Sequence, residues 1–195
     1  MKNEEKIRIT REKLLTAAEK LIEQYDDPFK VTSRQIAAES GMQAAMINYC
    51  FGSRENLIYQ VFQNKYEKTL KDADVLKIIN SDKYSPKEKL KKLHFIISGF
   101  LLNDFKFTKA VTAFVLFNRD LTKEAFSLKY VTEHYAGRKS PEECWLIAYE
   151  LSAMMQLIVY RCDDIKEGMG IDLHNEKELK HYIDMRVDLL LQDQL

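Results

Sequence analysis

The fold is decided by residues 31–51, which read VTSRQIAAESGMQAAMINYCF. Apolar residues recur at helical spacing on both sides of Gly41, so the stretch predicts two short helices, at about 33–40 and 43–50. A glycine just after a helix permits the positive φ that a tight turn requires. The side chains that we expect to face inward are Ile36, Ala37, Met42 and Ile47. The segment therefore predicts a helix-turn-helix.

The second predicted helix carries no charged side chain, and its outward positions are Gln43, Ala44, Asn48 and Tyr49. Gln and Asn can pair with adenine edges, an Ala methyl can meet a thymine methyl, and a Tyr hydroxyl can reach a phosphate. This inventory favours a base-reading surface. The alternative, which stays open at this point, is that a small uncharged helix beside a glycine is an internal packing element of an α-helical domain.

Groups that suit phosphate lie at the edges of the predicted reading helix. Thr32 or Ser33 caps the first helix and directs its amide N–H groups outward, and Arg34 follows one residue in. Ser53 caps the next helix, with Arg54 in its first turn. These groups are placed to grip phosphates on both sides of a major groove.

The rest of the chain predicts an all-α protein of about nine helices, because alternating strand patterns are nearly absent and only six glycines and three prolines occur. The first helix should begin near Thr10 and end at Asp26-Asp27-Pro28, with an apolar face of Leu14, Ala17, Ala18, Leu21, Ile22 and Tyr25. Further helices are expected at about 53–73, from Pro86 onward, and at about 105–118, 122–135, 141–162 and 175–192. The helix from Pro86 carries the apolar face Leu90, Leu93, Ile97 and Leu101. We expect the functional boundary to lie along a helix near Phe62, between a reading domain of residues 1–62 and a larger domain of residues 63–195.

Charge alone does not indicate nucleic-acid binding. The formal net charge is zero, and the first 60 residues contain nine Lys and Arg against nine Asp and Glu. Any affinity for DNA must therefore come from the local placement of groups. The basic N-terminal residues Lys2, Lys6, Arg8 and Arg11 suit a DNA-binding arm and a solvated tail about equally well.

Several classes of protein are disfavoured. Three cysteines fit neither a disulfide framework nor a zinc site, which predicts a reducing cytoplasm and no metal. No phosphate loop, nucleophile elbow or dinucleotide fingerprint occurs, so we expect neither an enzyme nor a cofactor. The longest apolar stretch, residues 95–102, is far below the ~20 residues of a membrane span.

The residues from about Leu14 to Phe62 resemble the tetracycline-repressor family of transcriptional regulators. Members typically have a first helix similar to LLTAAEKLI at 14–22, a TSRQIA helix start at 32–37 and an SGM turn at 40–42. They close with a Tyr-aromatic-Phe-x-Ser-Lys-Glu-x-Leu string, where this chain has NYCFGSRENL at 48–57. The resemblance implies that DNA is contacted at Thr32, Ser33, Arg34, Gln43, Ala44, Asn48, Tyr49 and Arg54. Asn48 replaces the commonest Tyr, and Cys50 stands where His or Tyr often contacts phosphate.

The same resemblance implies a ligand-responsive repressor that acts as a homodimer on a palindromic double-stranded DNA operator. A single reading head covers one half-site, so specificity usually requires two heads. The last two helices, about 141–162 and 175–192, are the expected interface, although their apolar stripes also serve the chain's own core. The aromatic-rich middle segment suits a small-molecule effector of unknown identity, but most of its aromatics are expected to be ordinary core, and no pocket residue is predicted. A helical interaction module without operator specificity stays open as an alternative.

Overall fold

The structure, a computed structural model, describes residues 2–25, 27–103, 105–118 and 125–192. These residues form α-helices and one short 3-10 helix (Pro28–Lys30), with no β-strand among them, which confirms the all-α prediction. The helices are α1 (Lys2–Ile22), α2 (Ser33–Ser40), α3 (Ala45–Phe51), α4 (Arg54–Leu70), α5 (Ala73–Asn80), α6 (Pro86–Asn103), α7 (Phe105–Asn118), α8 (Leu128–Tyr135), α9 (Pro141–Tyr160), α10 (Cys162–Met169) and α11 (Glu176–Leu190). No helix within these described ranges combines the length and the hydropathy that crossing a membrane requires.

The described residues contain eleven α-helices where about nine were predicted, because α5 and α10 are separate helices. The helix expected over 53–73 ends at Leu70, and Asp72 then caps α5 by accepting the amide of Asp74 at 2.9 Å. The helix expected over 141–162 ends at Tyr160, since Arg161 has φ −102° and ψ 12° and separates α9 from α10. The helices α5 and α10 therefore occupy residues that were predicted to be connections between helices.

The first helix begins at Lys2, so its predicted start near Thr10 is wrong. Thr10 lies inside α1, where its hydroxyl donates to the Lys6 carbonyl at 2.8 Å instead of capping. Arg8 forms ion pairs with Glu5 at 2.6 Å and with Glu12 at 2.7 Å, and pairs at this spacing stabilise a helix. The basic N-terminal residues are therefore part of a helix, not an extended arm. Asp26, part of the predicted helix end, lies outside the described residues.

The chain divides into two compact units, Met1–Lys68 with Lys106–Val111, and Thr69–Phe105 with Thr112–Leu195. The predicted functional boundary between residues 62 and 63 stays a prediction, because contacts within the chain do not show which residues bind DNA. In the first unit, α1 packs against α2 and α3. The side chains buried there include Leu14, Ala17, Ala18, Leu21, Ile22, Ile36, Ala37, Ile47, Leu57, Ile58 and Val61. Met42 and Tyr25, which were also predicted to face inward, are only half-buried.

In the second unit, α6 packs against α5, α8, α9 and α11. Its predicted apolar face is confirmed, since Leu90, Leu93, Ile97 and Leu101 are all buried. Lys87 and Lys91 of α6 also form ion pairs with Asp188 of α11, at 3.0 and 2.7 Å. The helix predicted over 122–135 is observed from Leu128 to Tyr135, and residues 119–124 lie outside the described part of the chain.

Candidate nucleic-acid interface

The turn between α2 and α3 is a Schellman motif. Gly41 has φ 67° and ψ 22°, as predicted for a glycine in the left-handed region at the end of a helix. The Met42 amide donates to the Ala37 carbonyl at 3.0 Å, and the Gly41 amide donates to the Ala38 carbonyl at 3.4 Å. These bonds satisfy carbonyls at the end of α2 and fix the direction in which the chain leaves it.

The start of α2 is fixed by a capping box between Thr32 and Gln35. The Gln35 amide donates to the Thr32 hydroxyl at 3.3 Å, and Gln35 Oε1 accepts both the Thr32 amide and the Thr32 hydroxyl at 2.8 Å. Gln35 Nε2 in turn donates to the Tyr25 hydroxyl at 2.6 Å, which ties the cap to the segment after α1. Thr32 is thus the cap residue, and its hydroxyl proton is engaged by Gln35.

The outward face of α3 is polar, uncharged and accessible. Gln43, Ala44, Asn48 and Tyr49 are all exposed, whereas Ile47 is buried against the rest of the unit. Tyr49 has 65% of its surface exposed, which is high for a large aromatic side chain. The helix begins at Ala45, two residues later than predicted, and Ala44 before it offers no side-chain cap. Asn48 and Tyr49 lie three and four residues after Ala45, so the three share one face of the helix.

The two arginines predicted to grip phosphate differ in their surroundings. Arg34 is exposed, and it has no ion pair with any residue in the described ranges. The Arg54 side chain is only 27% exposed; its Nη1 donates to the Val31 carbonyl at 3.3 Å, and its Nε and Nη2 donate to Glu55 Oε1 at 3.0 and 2.5 Å. Arg54 therefore holds the start of α4 to the residue before the α2 cap, and its charge is balanced by Glu55.

Glu55 stays ionised beside Arg54. Partial burial raises the pKa of Glu55, but hydrogen bonds from its own backbone amide and from Arg54 outweigh this effect and hold the pKa below its ordinary value. Ser53 caps α4 as predicted, since its hydroxyl accepts the Asn56 amide at 3.0 Å. Of the predicted phosphate-binding residues, Thr32 and Arg34 are exposed, whereas Ser33 and Arg54 are half-buried.

Arg11 has a structural role that the sequence did not indicate. Its Nη1 donates to the Cys50 carbonyl, and its guanidinium lies over the Phe51 ring, 4.3 Å from the ring centroid. Cation–π contact and charge-assisted hydrogen bonding both favour this position. Arg11 thus fastens α1 to the C-terminal end of α3, close to Asn48 and Tyr49 in sequence. No local motif signals a contact between residues 39 positions apart.

The second unit carries the helices predicted to form a dimer. One face of α9 is buried in the unit itself, through Cys144, Ala148, Leu151, Ser152, Met155 and Val159. On the same helices, large apolar side chains are also exposed: Leu146 and Leu157 on α9, and Met185 and Leu189 on α11. The stripes predicted for these helices therefore serve the chain's own core in part, and four large apolar side chains on the two helices stay exposed.

The aromatic middle segment contains one buried polar group that has no hydrogen-bond partner among the described residues. His94 of α6 has only 1% of its surface exposed, and its Nε2 lacks a partner there. Its ring packs against Phe126, with 5.0 Å between the ring centroids. Burial lowers the pKa of His94 to about 3, so the imidazole is neutral at ordinary pH. Tyr130 and Tyr135, two further aromatic residues of this segment, are buried core residues.

Comparison with known proteins does not identify a family for the chain: no protein-family model and no curated protein matches it.

Proposed function

We propose that this chain is a DNA-binding transcriptional regulator that contacts the major groove of double-stranded DNA through α3. The observation that carries the proposal is an exposed, uncharged face formed by Asn48 and Tyr49 on α3 and by Gln43 and Ala44 directly before it. The position of α3 is fixed at both ends. The Schellman turn holds its start, and Arg11 holds its end. A rigid helix with hydrogen-bonding side chains along one face is what direct readout of base edges requires.

In this proposal α2 and α3 form a helix-turn-helix, with α3 as the recognition helix. Gln43 and Asn48 read base edges, the Ala44 methyl meets a thymine methyl, and Tyr49 reaches a phosphate. Arg34 and the amide of Ser33, at the start of α2, bind a phosphate of the adjacent strand. Thr32 contributes through the cap that orients these groups.

We propose a role for Arg54 that differs from the one implied by the resemblance. Because its guanidinium is engaged by Glu55 and by the Val31 carbonyl, it can bind phosphate only by exchanging these partners. We therefore assign Arg54 chiefly to positioning α4 against the start of α2. Its contribution to affinity should be smaller than that of Arg34.

The proposal includes a homodimer that binds a palindromic operator. The exposed apolar side chains of α9 and α11 supply a surface that a second copy would cover: Leu146, Leu157, Met185 and Leu189. The resemblance of residues 14–62 to tetracycline repressors supports the same assembly. A small-molecule effector that weakens or strengthens operator binding completes the proposal, and the buried His94 Nε2 is a polar atom that such a ligand could engage.

A selection experiment tests DNA binding and identifies the operator at the same time. The full chain is incubated with duplex DNA that carries a randomised core, and bound sequences are recovered over several rounds. We expect a palindromic consensus, because two reading heads related by a two-fold axis contact equivalent half-sites. Gln43→Ala should relax base preference at one position per half-site, by about 1–3 kcal/mol.

Salt dependence separates phosphate contacts from base contacts. A plot of the logarithm of the DNA-binding constant against the logarithm of salt concentration has a negative slope. Arg34→Ala should make this slope shallower by about 0.9 for each half-site, since one phosphate contact is lost. Lys129→Ala is the matched control, because Lys129 is an exposed cation on α8 in the second unit. Recovery of no consensus, together with weak binding that disappears steeply as salt rises, would instead favour a helical interaction module without operator specificity. The zero net charge and the paired Arg54 are consistent with that second candidate.

The dimer is tested by sedimentation equilibrium of the full chain. Leu189→Glu places a charge on the exposed apolar surface of α11 and should shift the chain toward monomer. Leu76→Glu is the control, since Leu76 is also an exposed apolar residue but lies on α5. Equal association of both variants would place the interface elsewhere.

A further inference from the structure

Three side chains with metal-binding atoms meet where α10 begins and where the loop before α11 passes. Cys162 and Asp163 are the first two residues of α10, and His174 lies in the loop of residues 170–175. Each residue offers one ligand atom: a sulfur, a carboxylate oxygen and an imidazole nitrogen, respectively. These three atoms lie within 4.8 Å of one another. All three belong to the second unit of the chain. The spacing Cys-Asp-x10-His does not match the spacing of a zinc motif, and the sequence alone predicts no metal there.

The distance between sulfur and nitrogen fits a tetrahedral cation. Cys162 Sγ and His174 Nε2 are 3.8 Å apart. With Zn–S of about 2.3 Å and Zn–N of about 2.0–2.1 Å, two ligands at a tetrahedral angle lie about 3.6 Å apart. A small opening of that angle accounts for the observed distance. The Asp163 carboxylate is on an exposed residue, so a side-chain rotation can bring its oxygen to the third position.

The loop that carries His174 is held from both sides. Asp172 pairs with Lys166 of α10 at 2.6 Å, and its amide donates to Glu178 of α11 at 2.6 Å. The His174 amide donates to Asp172 Oδ1 at 3.0 Å, and the intervening Leu173 is buried in the core. The backbone of His174 is therefore fixed before any ion binds, which reduces the entropy cost of assembling the site.

Burial and charge also suit a cation with an affinity for sulfur. Cys162 has only 2% of its surface exposed, whereas Asp163 and His174 are exposed, so the sulfur forms the floor of the site and the other two ligands face solvent. A thiolate and a carboxylate together offset the charge of a divalent ion. A sulfur–nitrogen–oxygen ligand set favours Zn²⁺ and similar transition metals over Mg²⁺ and Ca²⁺.

We propose that Cys162, Asp163 and His174 bind a divalent transition-metal ion of the zinc type, with water as the fourth ligand. On binding, the Cys162 thiol releases its proton to solvent as the sulfur–metal bond forms. His174 binds through the lone pair of Nε2, so its ring proton resides on Nδ1, and Asp163 binds as the carboxylate. Three protein ligands and one open position are typical of a site that exchanges its fourth ligand. The proposal concerns the second unit alone and is independent of DNA binding by the first.

The test uses the full chain, freed of metal with a chelator under reducing conditions and titrated with Co²⁺ as a spectroscopic probe. We expect a sulfur-to-cobalt charge-transfer band that saturates at one ion per chain and is lost when Zn²⁺ is added. Cys162→Ser should abolish the band, and Cys50→Ser, which changes a cysteine in the first unit, should leave it intact. Absence of the band from the unmodified chain, or its persistence in Cys162→Ser, would overturn the proposal.

A second pair of variants changes only exposed residues, so that its result does not depend on replacing the buried Cys162. Asp163→Asn changes an exposed ligand and should weaken Zn²⁺ binding at least about tenfold in a competition titration, because loss of a direct ligand costs no less than loss of an outer one. Asp164→Asn changes the adjacent residue, which pairs with Arg161 and lies outside the cluster, and it should bind Zn²⁺ as the parent does. Circular dichroism verifies that both variants are folded. Equal affinity of the two variants would remove Asp163 from the site and contradict the proposal as stated.

Discussion

The burial of His94 should make this protein less stable as pH falls. The imidazole is buried in the second unit, packs against Phe126, and has a pKa lowered to about 3 from the ordinary value of 6.5. The unfolded chain exposes the same imidazole to water, where it takes up a proton near pH 6.5. Below that pH the unfolded state binds one more proton than the folded state does, so the free energy of unfolding falls as pH falls.

The size of the effect follows from the two pKa values. The contribution of His94 to the free energy of unfolding is fully present above pH 6.5. It declines by about 1.4 kcal/mol per pH unit as pH falls from 6.5 toward 3. Between pH 7.5 and pH 5.0 the loss should therefore be about 2 kcal/mol. This figure requires only that the folded-state pKa of His94 lies well below 5, so the depth of the shift does not affect it.

The assay is urea unfolding followed by circular dichroism at both pH values, at one fixed protein concentration. Other carboxylates and histidines also contribute to the pH dependence, so the informative quantity is the difference between the parent chain and His94→Leu. The parent should lose about 2 kcal/mol more than this variant between pH 7.5 and 5.0. His181→Gln replaces an exposed histidine of α11 and should keep the pH dependence of the parent.

One result would refute this reasoning. If the parent and His94→Leu lose the same stability between pH 7.5 and 5.0, the imidazole of His94 is not kept neutral by burial. The ring would then take up a proton in the folded state and donate it in a hydrogen bond to water or to another acceptor. A smaller loss of stability in His181→Gln than in the parent would instead assign the pH dependence to the protein surface.

Three further predictions concern stability and use urea unfolding as their measure. Gly41→Ala should cost about 1–2 kcal/mol, because φ of 67° strains any residue with a Cβ although nothing lies within 4 Å; Gly99→Ala, in a helix with open space around it, should instead stabilise by about 0.5–1 kcal/mol. Asp188→Asn should cost about 1 kcal/mol or less at neutral pH. Burial raises the pKa of Asp188, but hydrogen bonds from Lys91 and Lys87 outweigh this effect and hold the pKa below its ordinary value of 3.8. The cost of the substitution should therefore shrink as pH falls below 3.8 and vanish below the folded-state pKa. Thr32→Ala should cost about 0.5–2 kcal/mol through loss of the capping box, and an unchanged midpoint would contradict the cap.

Features that depend on neighbouring residues could be predicted from the sequence. The positive φ of Gly41, the cap at Ser53 and the inward face of α6 each follow from residue types within one or two helical turns. The outward position of Gln43, Asn48 and Tyr49 follows in the same way from helical spacing. The inward and outward positions need only the rise and rotation per residue of an α-helix, whereas the turn and the cap need only the chemistry of the residue at the helix end.

Features that depend on distant partners could not be predicted. The charge of Arg54 pointed to phosphate, but its geometry relative to the Val31 carbonyl is set by the packing of α4 against the start of α2. The start of α1 was misplaced because Thr10 has the chemistry of a cap, and a hydroxyl inside a helix can bond to the carbonyl four residues earlier instead. Cys162 and His174 meet only because Leu173 is buried and the loop folds back along α10.

The placement of the basic residues bears on the proposed binding of DNA, because the first 60 residues contain equal numbers of basic and acidic side chains. Lys20 pairs with Glu39, Arg54 pairs with Glu55, and Arg11 is engaged by a backbone carbonyl and an aromatic ring. Glu39 and Glu55 balance the charges of Lys20 and Arg54, and Arg11 holds α1 to α3, so these three cations can bind phosphate only by exchanging their partners. Affinity must then come from short-range contacts of α3 and from Arg34, which act only when the helix lies in the groove. The DNA affinity of such a protein would depend more on base sequence and less on salt than that of a protein whose surface is covered with unpaired lysines.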